Sequence, residues 1–144
     1  MPETAARELH CVVVTPEKAV IDETADFVAV PMFDGELGVL PGRAPLVGRL
    51  GYGELRIRRG TQTRRYFIDG GFVQVRANTV TVLTSRAMRA EDIDPAAVSQ
   101  ALHAALAPGA TPQARESQVK EQERARSQLR IARHREGQEA HGYA

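Results

Sequence analysis

The stretch ELRIRRGTQTRRYFIDGGFVQVRANTVTVLT (residues 54–84) decides the fold, because short patterned segments alternate in it with turn-forming pairs. Residues 54–58 alternate polar and apolar side chains, which is the period of a half-buried strand. Three pairs then interrupt the pattern: Gly60-Thr61, Gly70-Gly71 and Ala77-Asn78. Such pairs connect antiparallel strands. The stretch therefore predicts consecutive strands joined by hairpin turns.

Further short segments of the same kind precede this stretch, at residues 9–15, 19–22, 26–32 and 46–50. Nine of the twelve glycines and six of the seven aromatic residues also lie before residue 86, as expected of a turn-rich β domain. Seven or more short strands at this spacing predict an antiparallel sandwich or flattened barrel.

The residues after this β region predict a different structure, two helices. Only seven of the last 59 residues are Val, Ile or Leu, and Ala, Arg, Gln and Glu dominate there. Asp94-Pro95 and Thr111-Pro112 each combine a helix-capping residue with a proline that suits the first helical turn. The sequence thus predicts an α+β chain whose C-terminal hairpin has helices over about 95–107 and 112–135.

Whole-chain composition excludes several classes of protein. The 19 basic and 18 acidic residues balance to a formal charge of +1, which argues against a dedicated nucleic-acid-binding protein. A single cysteine excludes an internal disulfide framework. No apolar run reaches the roughly 18–20 residues of a membrane helix, and the N-terminus lacks a secretory signal pattern. A soluble intracellular protein without direct membrane insertion is expected.

No constellation of residues predicts catalysis or a cofactor. The four histidines are scattered without ligand spacing, and Cys11 lies in a Val-rich strand that favours a buried, structural role. Gly51-Tyr52-Gly53 lacks the third glycine and the following helix of a dinucleotide-binding motif, so it is interpreted as a turn. We expect a protein that is not an enzyme and that has no metal or cofactor.

Two arginine clusters favour binding functions. Residues 56–65 hold five arginines beside Tyr66 and Phe67, which is typical of a single-strand nucleic-acid-binding barrel. A solvated hairpin face that protects a sheet edge explains the same pattern. The second cluster lies in the second helix and comprises Arg124, Arg126, Arg130, Arg133 and Arg135. Three of them, spaced four and then three residues apart, share one face and favour an acidic protein partner.

Several motifs together resemble the epsilon subunit of the bacterial F-type ATP synthase. Residues 34–46, DGELGVLPGRAPL, resemble the family's G-E-L-G-x-x-P-G-H-A-P-L loop, with Arg43 in place of the usual histidine. Residues 67–75, FIDGGFVQV, resemble its second signature, and SQLRI at 127–131 resembles A-Q-L-R-V of the second helix. The likeness extends from about Leu9 to Arg133.

This resemblance implies a β-sandwich of about ten strands followed by two helices. We expect a flexible extension over 1–8, the sandwich over 9–88, the helical hairpin over 89–136 and a flexible tail over 137–144. The resemblance also implies a role in the rotating central stalk, peripheral to the cytoplasmic face of the bacterial inner membrane. A single-strand-binding module with a helical tail stays the alternative, and the coupling ion, proton or sodium, stays open.

The resemblance further implies partners and contact residues. The expected partners are the gamma subunit, the c-subunit ring and, in an inhibited state, the alpha and beta subunits. Glu36 matches the family's position against the c ring, with Asp34 and Arg43 beside it. Arg124, Arg126, Arg130 and Arg133 are expected to contact the beta subunit when the hairpin extends and blocks ATP hydrolysis.

One departure concerns a regulatory ATP site known in some members of this family. Those members carry an I/L-D-x-x-R-A motif at the start of the first helix, whereas this chain has Ile93-Asp94-Pro95-Ala96-Ala97. Asp94 is retained, but Ala97 stands where the arginine is expected. Because a charge-assisted contact to the nucleotide is lost, we expect ATP binding to be weak or absent.

Overall fold

The computed structural model describes residues 8–105 and 112–141, with no side-chain description for 20, 105, 112–114 and 134–141. Three parts of the predictions lie outside these residues: positions 1–7 of the N-terminal extension (1–8), the end of the first helix at 106–107, and positions 142–144 of the tail (137–144). Backbone packing divides the chain into two units, Met1–Ala87 and Met88–Ala144.

The first unit is built from β-strands, and a last short strand crosses the boundary between the units. The strands are β1 (Leu9–Val14), β2 (Ala19–Ala25), β3 (Phe27–Met32), β4 (Gly35–Val39), β5 (Leu46–Arg59), β6 (Gln62–Arg76), β7 (Thr79–Leu83) and β8 (Ala87–Arg89). They pair in the order β2-β1-β7-β6-β5-β3-β4, with β8 on β6 beside this path. The predicted β-sandwich followed by two helices is confirmed.

The two long strands β5 and β6 each contribute to both layers of the sandwich. Residues 46–50 of β5 pair with the part of β6 that also pairs with β7. The other end of β5 pairs with β3 at Phe27–Ala29. The β5–β6 ladder is interrupted between Leu50↔Gly71 and Tyr52↔Asp69. Side chains from both sides of this interruption contribute to a single core.

The continuity of β5 and β6 corrects two sequence-based interpretations. The sequence predicts turns between short strands at Gly70-Gly71 and Gly51-Tyr52-Gly53, whereas both lie within continuous strands. Gly70 and Gly71 have φ values of +68° and +111°, which glycine adopts readily, and the strand keeps its antiparallel pairing on both sides of them. This merging explains why the structure describes eight strands rather than about ten.

One strand pair departs from the antiparallel pattern. β1 lies between β2, to which it is antiparallel, and β7, to which it is parallel, with Val13 opposite Val82. Adjacent hairpins account for most of the other pairs, but this one joins the first strand to the seventh. Turn signals in the sequence predict only strands that are joined by a hairpin, so they cannot predict the pairing of β1 with β7.

The core of the first unit consists of branched aliphatic side chains from both layers. Val28, Leu55, Ile68, Val73 and Val80 are among the completely buried members. Burying each such side chain contributes about 1.5–3 kcal/mol, so this core stabilises the unit. Side chains at alternate positions of the same strands are thereby left on the two outer faces.

The second unit contains a 3₁₀ turn (Ala90–Asp92) and two helices, α1 (Pro95–Ala105) and α2 (Pro112–His141). Both helices begin at the predicted prolines. The second continues to His141, past the predicted end at 135 and into the predicted flexible tail. Residues 136–141 are mostly good helix formers, and the single glycine there costs only about 1 kcal/mol.

Candidate functional site

Two of the three residues predicted to contact the c ring lie on the β3–β4 hairpin. Phe33 and Asp34 form its turn, and both are exposed. Glu36 follows on β4 opposite Pro31, on the outer face of the layer, because its neighbour Leu37 packs against the core. The hairpin therefore presents both carboxylates to solvent.

The carboxylate of Glu36 is held by an arginine from β5. Arg56 Nη2 donates a hydrogen bond to Glu36 Oε1. On its other side, Arg56 Nε lies 3.8 Å from Glu54 Oε1, which also accepts a hydrogen bond from Arg65 Nη1 at 2.8 Å. Four charges of alternating sign thus cross the outer face from β4 to β6.

The third residue, Arg43, lies in the loop that joins β4 to β5. It is exposed, and its N–H donates a hydrogen bond to the carbonyl of Leu40 at 3.2 Å. The preceding Gly42 N–H donates to Asn78 Oδ1 at 2.8 Å, which ties the loop to the β6–β7 turn. Within the described part of the chain, no hydrogen bond or ion pair joins Arg43 to Asp34 or Glu36.

The sequence patterns do not predict an apolar outer face that the structure shows on the other layer. Val47, Phe72 and Leu83 are 75%, 58% and 50% exposed, and they lie on neighbouring strands β5, β6 and β7. Phe72 is directly opposite Leu83. A signal was available, because Phe72 adds an apolar side chain on the face opposite to that of Val73 and Val75. We call Val47, Phe72 and Leu83 the apolar face.

The arginines of the β5–β6 hairpin are largely engaged within the protein. Arg64 Nη1 donates to Glu23 Oε2 at 2.7 Å, and Arg58 lies over the Phe27 ring at 4.9 Å. Arg56 and Arg65 belong to the charge chain already described. These intramolecular partners favour the interpretation of a self-paired hairpin over that of a nucleic-acid-binding surface.

The arginines of α2 are placed as a helix-face pattern predicts. Arg126, Arg130 and Arg133 are exposed, whereas Arg124 is half-buried and has an intramolecular partner. The buried positions of α2 are Ala125, Ser127, Gln128, Ile131 and Ala132. Ile131 is the single large apolar residue in this buried set, so residues 115–133 of the helix bury little apolar area.

The remnant of the nucleotide motif has a structural role at the start of α1. Asp94 Oδ1 accepts a hydrogen bond from the Ala96 N–H at 3.1 Å, the geometry of a helix N-cap. The Ala97 side chain is exposed and carries no group that can bind phosphate. The retained aspartate is thus accounted for by capping alone.

Other chemistry is sparse among residues 8–105 and 112–141. No group of three or more His, Cys, Asp or Glu side chains there is arranged to hold a metal ion. Burial, and to a smaller extent the charge of Glu23, raises the pKa of the Cys11 thiol from 9.0 to about 12. The thiol is therefore a poor nucleophile at neutral pH. No helix in these ranges has the length and apolar character to cross a membrane.

Comparison with known proteins decides between the remaining interpretations. Residues 8–90 match the family model "ATP synthase, Delta/Epsilon chain, beta-sandwich domain". The chain belongs to the ATP synthase epsilon-chain family. The ATP synthase epsilon chain of Rhodopirellula baltica is 51% identical over 128 residues, which cover 87% of this chain and 98% of that one. That of Leptospira borgpetersenii is 41% identical over 97 residues, covering 67% and 76%.

Two solved structures show the same fold as this epsilon chain. A chain of the Euglena gracilis mitochondrial ATP synthase (OSCP/F1/c-ring) has a TM-score of 0.78 at 24% identity, covering 85% of this chain and 79% of its own. A chain of the Tetrahymena thermophila mitochondrial ATP synthase central stalk/c-ring has a TM-score of 0.60 at 14% identity, covering 86% and 96%. The family consists of non-catalytic subunits of the synthase, in agreement with the sequence prediction.

Proposed function

We propose that this epsilon chain is a rotor subunit of the central stalk that joins the gamma subunit to the c ring of a proton- or sodium-translocating ATP synthase. It would act at the cytoplasmic face of the bacterial inner membrane. The observation that carries the proposal is that the sandwich offers two chemically different surfaces. One is polar and charged around Glu36, and the other is the apolar face.

The polar surface suits the c ring. Asp34 and Glu36 project from a short hairpin, and Arg43 from a loop tied down by Asn78. Contacts between exposed charged groups and polar loops add selectivity and encounter rate more than affinity. Such contacts fit an interface in which one small subunit meets the polar loops of a ring.

The apolar face suits the gamma subunit. The side chains of Val47, Phe72 and Leu83 are large and exposed to solvent. Covering them with a partner is favourable by about 25 cal/mol for each Å² of apolar surface buried. Adjacent exposed apolar residues commonly mark protein-protein interfaces. A permanent rotor assembly needs one interface of this stable kind.

Substitutions on the apolar face test the gamma contact. The double variant Phe72→Ser/Leu83→Ser should bind purified gamma subunit at least about tenfold more weakly, because two apolar anchors are lost. Val119→Ser is a control of similar exposure on α2, at 51%, and should leave gamma binding unchanged. Equal gamma binding by the double variant and the parent chain, with both folded by circular dichroism, would contradict this assignment.

We further propose that the helical hairpin inhibits ATP hydrolysis through the arginine face of α2. Arg126, Arg130 and Arg133 are exposed cations on one helix face, a surface that an acidic segment of the beta subunit would neutralise. Few large apolar side chains are buried among the described residues of α2. This supports a helix whose detachment from its neighbours costs little free energy.

Charge reversal on α2 tests inhibition. Arg126→Glu/Arg130→Glu should raise ATP hydrolysis of the reconstituted complex by about fivefold or more, the lower end of typical coupling between sites. The control Arg115→Glu/Lys120→Glu reverses two exposed cations earlier on the same helix and should leave hydrolysis unchanged. Deleting 113–144 should also raise hydrolysis while assembly persists. Unaltered hydrolysis in both the reversal and the deletion would rule out an inhibitory hairpin.

A further inference from the structure

Arg56 reaches Glu36 across an intervening strand. The order of strands is β5, β3, β4, and Ala29 of β3 is paired with both Arg56 and Gly38. On this line of the sheet, β3 presents only a methyl group and β4 only a hydrogen. No bulky side chain on this line blocks the long side chain of Arg56, which can therefore lie across the sheet and reach the carboxylate of Glu36.

The guanidinium of Arg56 is fixed from both sides. Its Nε faces Glu54 Oε1 at 3.8 Å, while its Nη2 donates to Glu36 Oε1. Glu54 is itself held by Arg65 at 2.8 Å, and these two side chains are only 11% and 14% exposed. The chain of charges thus runs from a nearly buried pair to the half-exposed carboxylate of Glu36.

We propose that Arg56 is a positioning residue for the c-ring contact, which orients the Glu36 carboxylate before the ring is bound. This inference rests on the proposed function of Glu36. A free glutamate loses rotamer freedom when a partner binds it, and a side chain already oriented by a neighbour loses less. The bond engages Oε1, and half of the Glu36 side-chain surface is still exposed to a partner.

The test is a double-mutant cycle in the assembled complex. F1 reconstituted with variant epsilon chains is titrated onto membranes stripped of F1, and its affinity is measured from bound ATPase. Glu36→Gln should weaken binding. Arg56→Gln should weaken it about two- to fivefold, the range for one exposed charged pair. In the Glu36→Gln background, Arg56→Gln should have no further effect, because there is no carboxylate left to orient.

Two further variants separate positioning from general effects. Arg56→Lys keeps the charge but cannot contact Glu54 and Glu36 through two ends of a planar group, so it should restore only part of the affinity. Arg64→Gln is the matched control, because it breaks a similar arginine–glutamate pair, with Glu23, on the neighbouring strand β6. It should leave affinity unchanged.

The outcomes distinguish the two proposals. If Glu36→Gln binds as well as the parent chain, the assignment of Glu36 to the c ring fails, whatever Arg56 does. If Glu36→Gln weakens binding but Arg56→Gln does not, or strengthens it, the positioning role is overturned. Equal weakening by Arg56→Gln in both backgrounds would also overturn it, since the effect would then not pass through Glu36.

Discussion

Gly42 and Asn78, which belong to different loops, are joined by a 2.8 Å hydrogen bond from the Gly42 N–H to the Asn78 side-chain oxygen. Asn78 also accepts a hydrogen bond from the His10 N–H through its own carbonyl, at 2.8 Å. Its φ of +60° is one that asparagine tolerates better than most residues. One turn residue therefore fixes the loop of Arg43 and the start of β1 together.

Replacing Asn78 should loosen the Arg43 loop. Asn78→Gly keeps the backbone conformation but removes the side-chain acceptor, so we expect it to lower the free energy of unfolding by about 0.5–1.5 kcal/mol. Asn78→Asp retains an acceptor and should change it by less than about 0.5 kcal/mol. Urea unfolding measures both, and faster hydrogen exchange at the Gly42 amide should accompany only the first. Unchanged Gly42 exchange in Asn78→Gly would show that this bond does not hold the loop.

Gly71 should tolerate no side chain. A Cβ there would lie 1.9 Å from the Leu83 carbonyl oxygen, and the φ of +111° is strained for other residues. Gly71→Ala should therefore destabilise the β-sandwich by more than about 3 kcal/mol. At Gly60, which has a φ of +61° and open space where a methyl group would lie, alanine should cost only about 1 kcal/mol. Thermal unfolding of the two variants compares these costs, and equal destabilisation would contradict the close approach of Gly71 to the Leu83 carbonyl.

Cys11 should make stability depend on alkaline pH. The thiol's pKa is about 12 in the folded chain and 9.0 when exposed, because burial disfavours the thiolate. Between these values the unfolded state binds fewer protons than the folded state. Stability from this group is thus present below pH 9 and lost as pH rises towards 12, by about 1.4 kcal/mol per pH unit.

The comparison with Cys11→Ala isolates the contribution of the thiol from that of every other ionisable group. Urea unfolding at pH 8, 9 and 10 should show a shallower loss of stability with pH in the variant. In the native parent chain, the thiol should also resist a thiol-specific reagent until urea unfolds the protein. Parallel pH profiles for the two chains would mean that Cys11 titrates alike when folded and unfolded.

ATP binding by the isolated chain should be weak or absent. Asp94 is used as a helix cap, and Ala97 offers no charged group to phosphate. Titration calorimetry with Mg-ATP at micromolar protein should show no saturable heat, with ADP, which lacks the gamma phosphate, as a matched ligand. Micromolar binding of ATP would show that this chain holds nucleotide without the motif arginine.

The sequence predicts the elements whose signals are local. The alternation of Val80 and Val82 with threonines indicates β7. The pair Asp94-Pro95 correctly predicts that α1 begins at Pro95. The prediction of a turn at Gly70-Gly71 is wrong because two glycines permit either a turn or a continuing strand. The pairing of this segment with β5 and β7 decides between them, and a pair of glycines does not encode that pairing.

The candidate site is predictable only in part. Glu36 is found through a motif, but the pairing with Arg56 depends on the register of β4, β3 and β5 and on the small side chain of Ala29. Likewise, the apolar face exists because Phe72 and Leu83 fall opposite each other in an antiparallel ladder. Such relationships arise from pairing between strands, which hydrophobic periodicity does not encode.

The parallel pairing of β1 with β7 constrains the order in which the chain folds during synthesis. β1 leaves the ribosome before β7, yet one of its edges stays unpaired until residues through Leu83 have been released. The nascent β1–β2 hairpin therefore exposes the edge of β1 that later pairs with β7, and an unpaired strand edge promotes misassembly. Closure of the sheet is a late, long-range step, and slow folding kinetics are expected from it.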